Sequence, residues 1–262
     1  SLGRETNGLK IPMKTIFITG ASSGFGEATA RKFSSGGHRL VLLARRREKL
    51  IDLAHQLGGE NKCHFICADV RDNEEVENAL LGLPEEFRSI DVLVNNAGLA
   101  LGLGPAEDAS LKDWEIMVDT NIKGVIYLTK AVLPGMIQRG HGQIINIGSV
   151  AGSWPYPGGN VYGSTKAFVQ QFSRNLRSDL SGKNIRVSLV EPGMSETEFS
   201  LIRFEGDQDK AKAVYHSMNP LSAEDIAETV FWICSMPAHV NVNQIELMPI
   251  AQAWAPFSVY RD

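Results

Sequence analysis

Seven short apolar runs, rich in β-branched residues, recur along the chain: KTIFIT from Lys14, HRLVLLA from His38, CHFICAD from Cys63, IDVLVN from Ile90, GQIINI from Gly142, IRVSLV from Ile185 and QIELMP from Gln244. Amphipathic stretches with helical spacing separate them, and that alternation predicts βαβ units. Most of the runs are apolar throughout rather than at every second position. Such strands are covered by helices on both faces, so the predicted fold class is α/β, a doubly wound sheet of about seven parallel strands. Two major helices stand out. One is capped by Ser110, with Asp113 in its first turn, and runs to about Arg139 with Pro134 bending its last turns. The other covers roughly Val161 to Ser181, where Phe168, Phe172, Leu176 and Leu180 share a face and Gly182 stops the helix. Between Met194 and Met218 lies a polar, weakly periodic segment, too long for an ordinary connection, which predicts a mobile lid at about 194–218.

Length and composition keep this to one domain. Of 262 residues 43% are hydrophobic, enough for one sizeable core. Residues 1–12 read as a flexible tail and 13–262 as a single domain. The formal net charge is -4, and the basic residues are scattered except for Arg45, Arg46 and Arg47, which argues against nucleic-acid and membrane partners. With neither a secretory leader pattern nor a membrane-length apolar run, a cytoplasmic protein is expected. Cys63, Cys67 and Cys234 are an odd count, so a complete disulfide framework is not expected; Cys63 and Cys67 read as core thiols on one strand face, and no metal site is expected.

The first predicted strand runs into TGASSGFGEA, which puts Gly20, Ser22, Ser23, Gly24, Phe25 and Gly26 at a strand-to-helix turn. Missing side chains there admit a phosphate to the backbone amides and the helix N-terminus. Glycine-rich turns also occur for structural reasons, but the place after the first strand is where such sheets bind dinucleotides, and the fold is therefore read as Rossmann-like. At the end of the second strand, where a carboxylate would meet the adenosine ribose of NAD, the chain has Arg45, Arg46 and Arg47 instead. Cations opening a helix oppose its dipole, so a compensating anion is expected. The anion inferred is the 2′-phosphate of NADP(H), gripped by Arg45 and Arg46 with a hydroxyl from Ser22 or Ser23. Asp69 and Val70 end the third strand, where Asp69 is either an acceptor for adenine or a helix cap. Asn95, Asn96, Ala97 and Gly98 end the fourth, where the asparagines can lock neighbouring strands and the small residues admit the adenosine half.

The reacting end is Tyr162-Gly163-Ser164-Thr165-Lys166, early in a helix and shortly after Ser149 at the end of the fifth strand. A tyrosine with lysine four positions on is a common coincidence, but on a helix the two share a face. Removing an alcohol proton at neutral pH needs a better base than a free tyrosine, and a neighbouring ammonium favours phenolate. Ser149 can hold the substrate oxygen against Tyr162, while Lys166 also reaches the nicotinamide ribose.

TGASSGFG, NNAG, Ser149 ahead of YGSTK, and Pro192-Gly193 together resemble the short-chain dehydrogenase/reductase superfamily over nearly the whole chain from Met13. The resemblance implies an oxidoreductase acting on CH-OH groups, with Asn121 completing a tetrad by holding a water in the proton relay, and commonly a homotetramer formed through the two long helices. It further implies that Pro192, Gly193, Ser195 and Thr197 meet the nicotinamide carboxamide or pyrophosphate. Many members carry a branched apolar residue where this chain has Ser195, a contact expected through backbone. NNAGLALG, GSVAGSWPYPGGNVYG, EPGMSETEFS and ELMP are similar to NADP-dependent 3-hydroxy acid dehydrogenases, which act on L-serine, L-allo-threonine and related short acids, or reduce malonic semialdehyde to 3-hydroxypropionate. Such a substrate calls for a cation, and Arg203 in the lid is the candidate, with Trp154 and Tyr156 shaping the pocket. Two other readings stand beside this one: a broad NADPH carbonyl reductase using the same Tyr162, Lys166 and Ser149, and an idle NADP-sensing or scaffold protein.

Overall fold

Apolar side chains at every position of a strand require cover on two sides, and five of the seven strands meet that requirement along nearly their whole length. The structure, a computed structural model, describes residues 12–204 and 206–254, so nearly all of the predicted tail lies outside the described residues. In chain order the elements are β1 (Thr15–Thr19), α1 (Gly24–Ser35), β2 (Arg39–Ala44), α2 (Arg47–Gln56), β3 (Cys63–Cys67), α3 (Asn73–Leu81) and β4 (Val92–Asn95), then α4 (Leu111–Val118), α5 (Gly124–Arg139), β5 (Gly142–Ile147), α6 (Asn160–Asp179), β6 (Ile185–Pro192), α7 (Glu198–Arg203), α8 (Gln208–Ala213), α9 (Ala223–Ser235) and β7 (Gln244–Leu247). The strands form one parallel sheet in the order β3-β2-β1-β4-β5-β6-β7.

Alternation along each strand feeds two cores. Ile16, Ile18, Leu40 and Leu42 pack with Phe33 of α1, Leu50 of α2 and Val230 of α9. Phe17, Val41, Leu43 and Leu93 point the other way, onto Val76 of α3, Leu128 and Val132 of α5 and Leu176 of α6. The chain winds outward from β1 to β3, then crosses back to β4 on the other side of β1. That reversal opens a crevice at the carboxyl ends of β1 and β4, the place where doubly wound sheets take ligands.

Two expectations need correction. The departure from α-helical spacing in the helix before β5 falls at a π-helical turn, Asp119–Lys123, rather than at Pro134, which lies inside α5. Cys67 is exposed, at the end of β3, an edge strand, and its thiol donates to Arg45 O at 3.4 Å; Cys63 is core. The segment 194–218 contains α7 and α8, and α7 borders the crevice through Glu198, Phe199 and Ile202. The helix predicted at Val161 to Ser181 forms as α6, and Gly182 behind it adopts φ +78°, which favours glycine.

Asn95 and Asn96 tie the crevice together. Buried Asn95 donates to Thr129 Oγ1 at 3.1 Å and to Asn146 Oδ1 at 2.9 Å, and Asn146 donates on to Ser173 Oγ at 2.9 Å, so one amide chain links β4, α5, β5 and α6. Asn96 Nδ2 reaches across to Thr19 O at 2.9 Å, fixing β4 against β1. Asn95→Leu strands the Thr129 and Asn146 groups without partners, and we expect a loss of about 2–3 kcal/mol in thermal or denaturant unfolding. A variant as stable as the parent would contradict this account of the crevice.

Candidate active site

The turn after β1 is built for close approach. Gly20 and Gly24 have φ +65° and +52°, and a Cβ on Gly26 would lie 2.2 Å from Gly20 O. Gly26 is therefore a packing glycine beneath the cleft, while Gly20, Ser22, Ser23, Gly24 and Phe25 line it. Ser23 makes no side-chain cap on α1, which leaves the first-turn amides open to an anion. The same cleft is lined by Arg45, Arg46, Asp69, Val70, Asn96, Ala97, Gly98, Tyr162, Lys166 and Thr197. A phosphate-bearing dinucleotide fits this donor set.

Arg46 is held like a tool in a rack. Its Nε donates to Ser22 Oγ at 3.1 Å and its Nη2 to Ser23 Oγ at 2.6 Å, so both serines set its orientation. Nη1 reaches Glu198 at 2.8 Å, and Lys49 Nζ reaches the other oxygen of the same carboxylate at 2.8 Å. Burial raises the Glu198 carboxyl, but the hydrogen bonds from Lys49 and Arg46 outweigh it and carry the group down to about 2. Asp69 does not serve as the helix cap. Arg71 covers its carboxylate with bonds of 2.6 to 3.0 Å, and the cap of α3 is Asp72.

At the inner end, Tyr162 and Lys166 lie one turn apart on α6, 8% and 6% exposed. Lys166 Nζ donates to Ile147 O at 3.0 Å and stands 5.9 Å from the Tyr162 ring. Burial raises the Tyr162 phenol above its ordinary value, opposed by a hydrogen bond with Ser149 and by the Arg203 guanidinium. Burial also lowers the Lys166 ammonium, to about 8. Asn121 sits in the π-helical turn, 1% exposed and outside the cleft lining. It accepts from Leu99 N at 2.9 Å and donates to Leu99 O at 2.8 Å and to Thr165 Oγ1 at 3.0 Å.

A second cleft opens from Tyr162 on the other side, with Ser149, Trp154, Tyr156, Pro192, Gly193, Ser195, Thr197 and Arg203 in its lining. Arg203 is anchored by Nε to Gly102 O at 3.0 Å and by Nη2 to Tyr156 Oη at 3.0 Å, and its guanidinium carbon lies 5.7 Å from the Tyr162 ring. A cation, a hydroxyl donor and a phenol thus converge on one hollow of about 420 Å³, within the usual size range of small-ligand sites.

The family model described as short chain dehydrogenase matches residues 14–206. The chain belongs to the short chain dehydrogenase family. Within it, the chain is 52% identical over 248 residues to the NADP-dependent 3-hydroxy acid dehydrogenase YdfG of Shigella flexneri, covering 94% of this chain and 99% of that one. It is 54% identical over 248 residues to sulfoacetaldehyde reductase 2 of Chromohalobacter salexigens, covering 94% and 98%. Among solved structures it is similar to the closed form of serine dehydrogenase complexed with NADP+, at 52% identity and a TM-score of 0.93, covering 95% of this chain and all of that one.

The family's motifs leave unmarked several residues in the two clefts or paired with their lining. Arg71 carries the weak signal of a cation two positions after Asp69. Phe199, whose ring lies 5.6 Å from that of Tyr162, and Glu198, which meets α2 from 149 residues away, carry none. The buried ammonium has a measurable cost. With Lys166 near 8 when folded and an ordinary value of 10.5, its charge opposes folding fully below about pH 8, and the penalty fades as pH rises toward 10.5. We expect Lys166→Met to abolish turnover yet raise the melting temperature of the ligand-free protein at pH 7, by roughly 2–6 °C, with the gain shrinking toward pH 10. A variant less stable than the parent at pH 7 would refute this.

Proposed function

We propose that the chain is an NADP(H)-dependent oxidoreductase that interconverts a short 3-hydroxy acid, such as L-serine, L-allo-threonine or 3-hydroxypropionate, and its 3-oxo form. The observation that carries the reading is Arg203, whose guanidinium shares the second cleft with Ser149 and Tyr162 and is oriented by Tyr156 and Gly102. A guanidinium there suits a carboxylate or sulfonate, and both similar enzymes are named for acidic substrates. When bound, the nicotinamide supplies the acceptor or donor of hydride. The residues of this chain do the rest. The Ser149 hydroxyl holds the substrate oxygen, Tyr162 moves its proton, and the Lys166 ammonium favours the phenolate and reaches the nicotinamide ribose. Asn121 acts behind Lys166, through the water of the proton relay. Arg45 and Arg46 take the 2′-phosphate, Ser22 and Ser23 having set the fork of Arg46. Segment 194–218 serves as a mobile lid that carries Arg203 onto the substrate.

A cytoplasmic protein suits the three unpaired cysteines, and no helix among the described residues is long and apolar enough to cross a membrane. A homotetramer through the long helices is supported by the partly exposed apolar side chains of Ile126 and Ile137 on α5. The apolar walls of the second cleft, Trp154, Met194, Phe204 and Met248 among them, favour the broad carbonyl reductase as the alternative reading.

Initial rates with NADP and a panel of serine, allo-threonine, 3-hydroxyisobutyrate and a plain secondary alcohol separate the two. We expect Tyr162→Phe to cut kcat about a thousandfold on every substrate. Arg203→Ala should raise KM for the hydroxy acids about tenfold or more and leave the plain alcohol unchanged, as the loss of one charged hydrogen-bonding partner predicts. Equal effects on acids and alcohol would remove Arg203 from substrate recognition and favour the broad reductase.

A further inference from the structure

The arginine loop contains one arrangement that the NADP reading does not use. Arg46, at the N-terminal edge of α2, and Lys49, in its first turn, both bind Glu198, which arrives from α7 on the opposite wall of the cofactor cleft. The side chains of Arg46, Lys49 and Glu198 are 42%, 48% and 39% exposed. Ion pairs so open to water are screened and weak, so they break at little cost. The serines keep hold of two nitrogens of Arg46 whatever happens at Glu198, so the end facing the carboxylate stays aimed.

The two cations of α2 therefore share one anion through its two oxygens, at the edge of the cleft where the adenosine phosphate is expected. A sugar phosphate brings nearly two negative charges and three acceptor oxygens, where the carboxylate brings one charge and two. Both anions cannot occupy the same side of Arg46 and Lys49 without repelling each other. We propose that Lys49 is a third cation of the 2′-phosphate site and that Glu198 is the exchangeable counter-ion of that site, keeping Arg46 and Lys49 paired until the cofactor's phosphate replaces it. This rests on the NADP reading above. A dinucleotide without the phosphate leaves the Glu198 pairs in place and gains nothing from either cation, so the pair acts in cofactor choice. The exchange also unties α7 from α2, and α7 ends at Arg203, so the counter-ion of the phosphate site and the substrate cation are borne on one short helix.

The test is a calorimetric titration of the whole chain at low ionic strength with 2′,5′-ADP and with 5′-AMP, which differ in the 2′-phosphate alone. All three side chains are exposed, so the variants fold, as a melting curve will show. We expect Lys49→Met to weaken 2′,5′-ADP about tenfold, the loss of one charge-assisted contact. Glu198→Gln should tighten it by about threefold, the removal of a screened competitor. Neither change should move 5′-AMP. The inference is overturned if Lys49→Met shifts both nucleotides equally or neither, or if Glu198→Gln weakens or leaves unchanged the binding of 2′,5′-ADP. Arg46→Ala is the reference. If it separates the two nucleotides while Lys49→Met and Glu198→Gln do not, this inference falls alone; if it does not separate them, the NADP reading of the arginine loop falls with it.

Discussion

An ammonium group buried to 6% exposure sets the terms on which this molecule folds and works. Lys166 needs an acceptor in a place that water hardly reaches, and it takes the carbonyl of Ile147, the last residue of β5, at 3.0 Å. Its surroundings are cut to fit. A Cβ on Gly98 would lie 3.3 Å from both Lys166 Nζ and Asn121 Oδ1, and one on Gly152 would meet the Lys166 backbone at 2.9 Å. Desolvation disfavours the charged form, and burial brings the group down to about 8. At neutral pH most of the charge survives, which a group that must favour a neighbouring phenolate requires. The fold accepts a local cost to keep a cation there.

Asn121 shows how the surrounding helices share that task. The π-helical turn at Asp119–Lys123 re-aims one side chain out of the α-helical sequence of positions, a use to which such turns are often put. Its amide is spent on the Leu99 backbone and on Thr165, whose hydroxyl donates to Tyr162 O at 2.8 Å. Asn121 therefore fixes the first turn of α6 from behind while leaving the cleft to Tyr162 and Lys166.

What the sequence made legible follows the range of the interactions involved. All seven strands, the parallel winding and the glycine turn rest on local pattern: apolar runs, helical spacing, a missing Cβ. Tyr162, Lys166 and Ser149 were readable because the order of the elements carries them to one place. The misreadings concern positions where a partner distant in sequence, or an edge, decides. Cys67 looks like core until β3 is known to be an edge strand. Nothing in a strand-end aspartate announces that Arg71 will fold back onto Asp69. Glu198 is the extreme case, a carboxylate from α7 that answers cations on α2.

The short α7 helix ties these observations together. Thr197 caps it, accepting from Phe199 N at 3.2 Å, and a Cβ on Gly24 would touch the same threonine at 3.4 Å, so the helix starts against the glycine turn. Glu198 at its head faces the arginine loop, Phe199 packs beside Tyr162, and Arg203 at its foot reaches Tyr156 and Gly102. Six residues thus touch the adenosine end, the phenol and the substrate hollow in turn. Because the helix is too short to be stable alone, its position is set by these contacts, and those of Glu198 are open enough to water to be exchanged. A segment held this way can answer to ligands at both ends, whereas the buried network around Lys166 and Asn121, without such freedom, keeps the reacting groups fixed while it does.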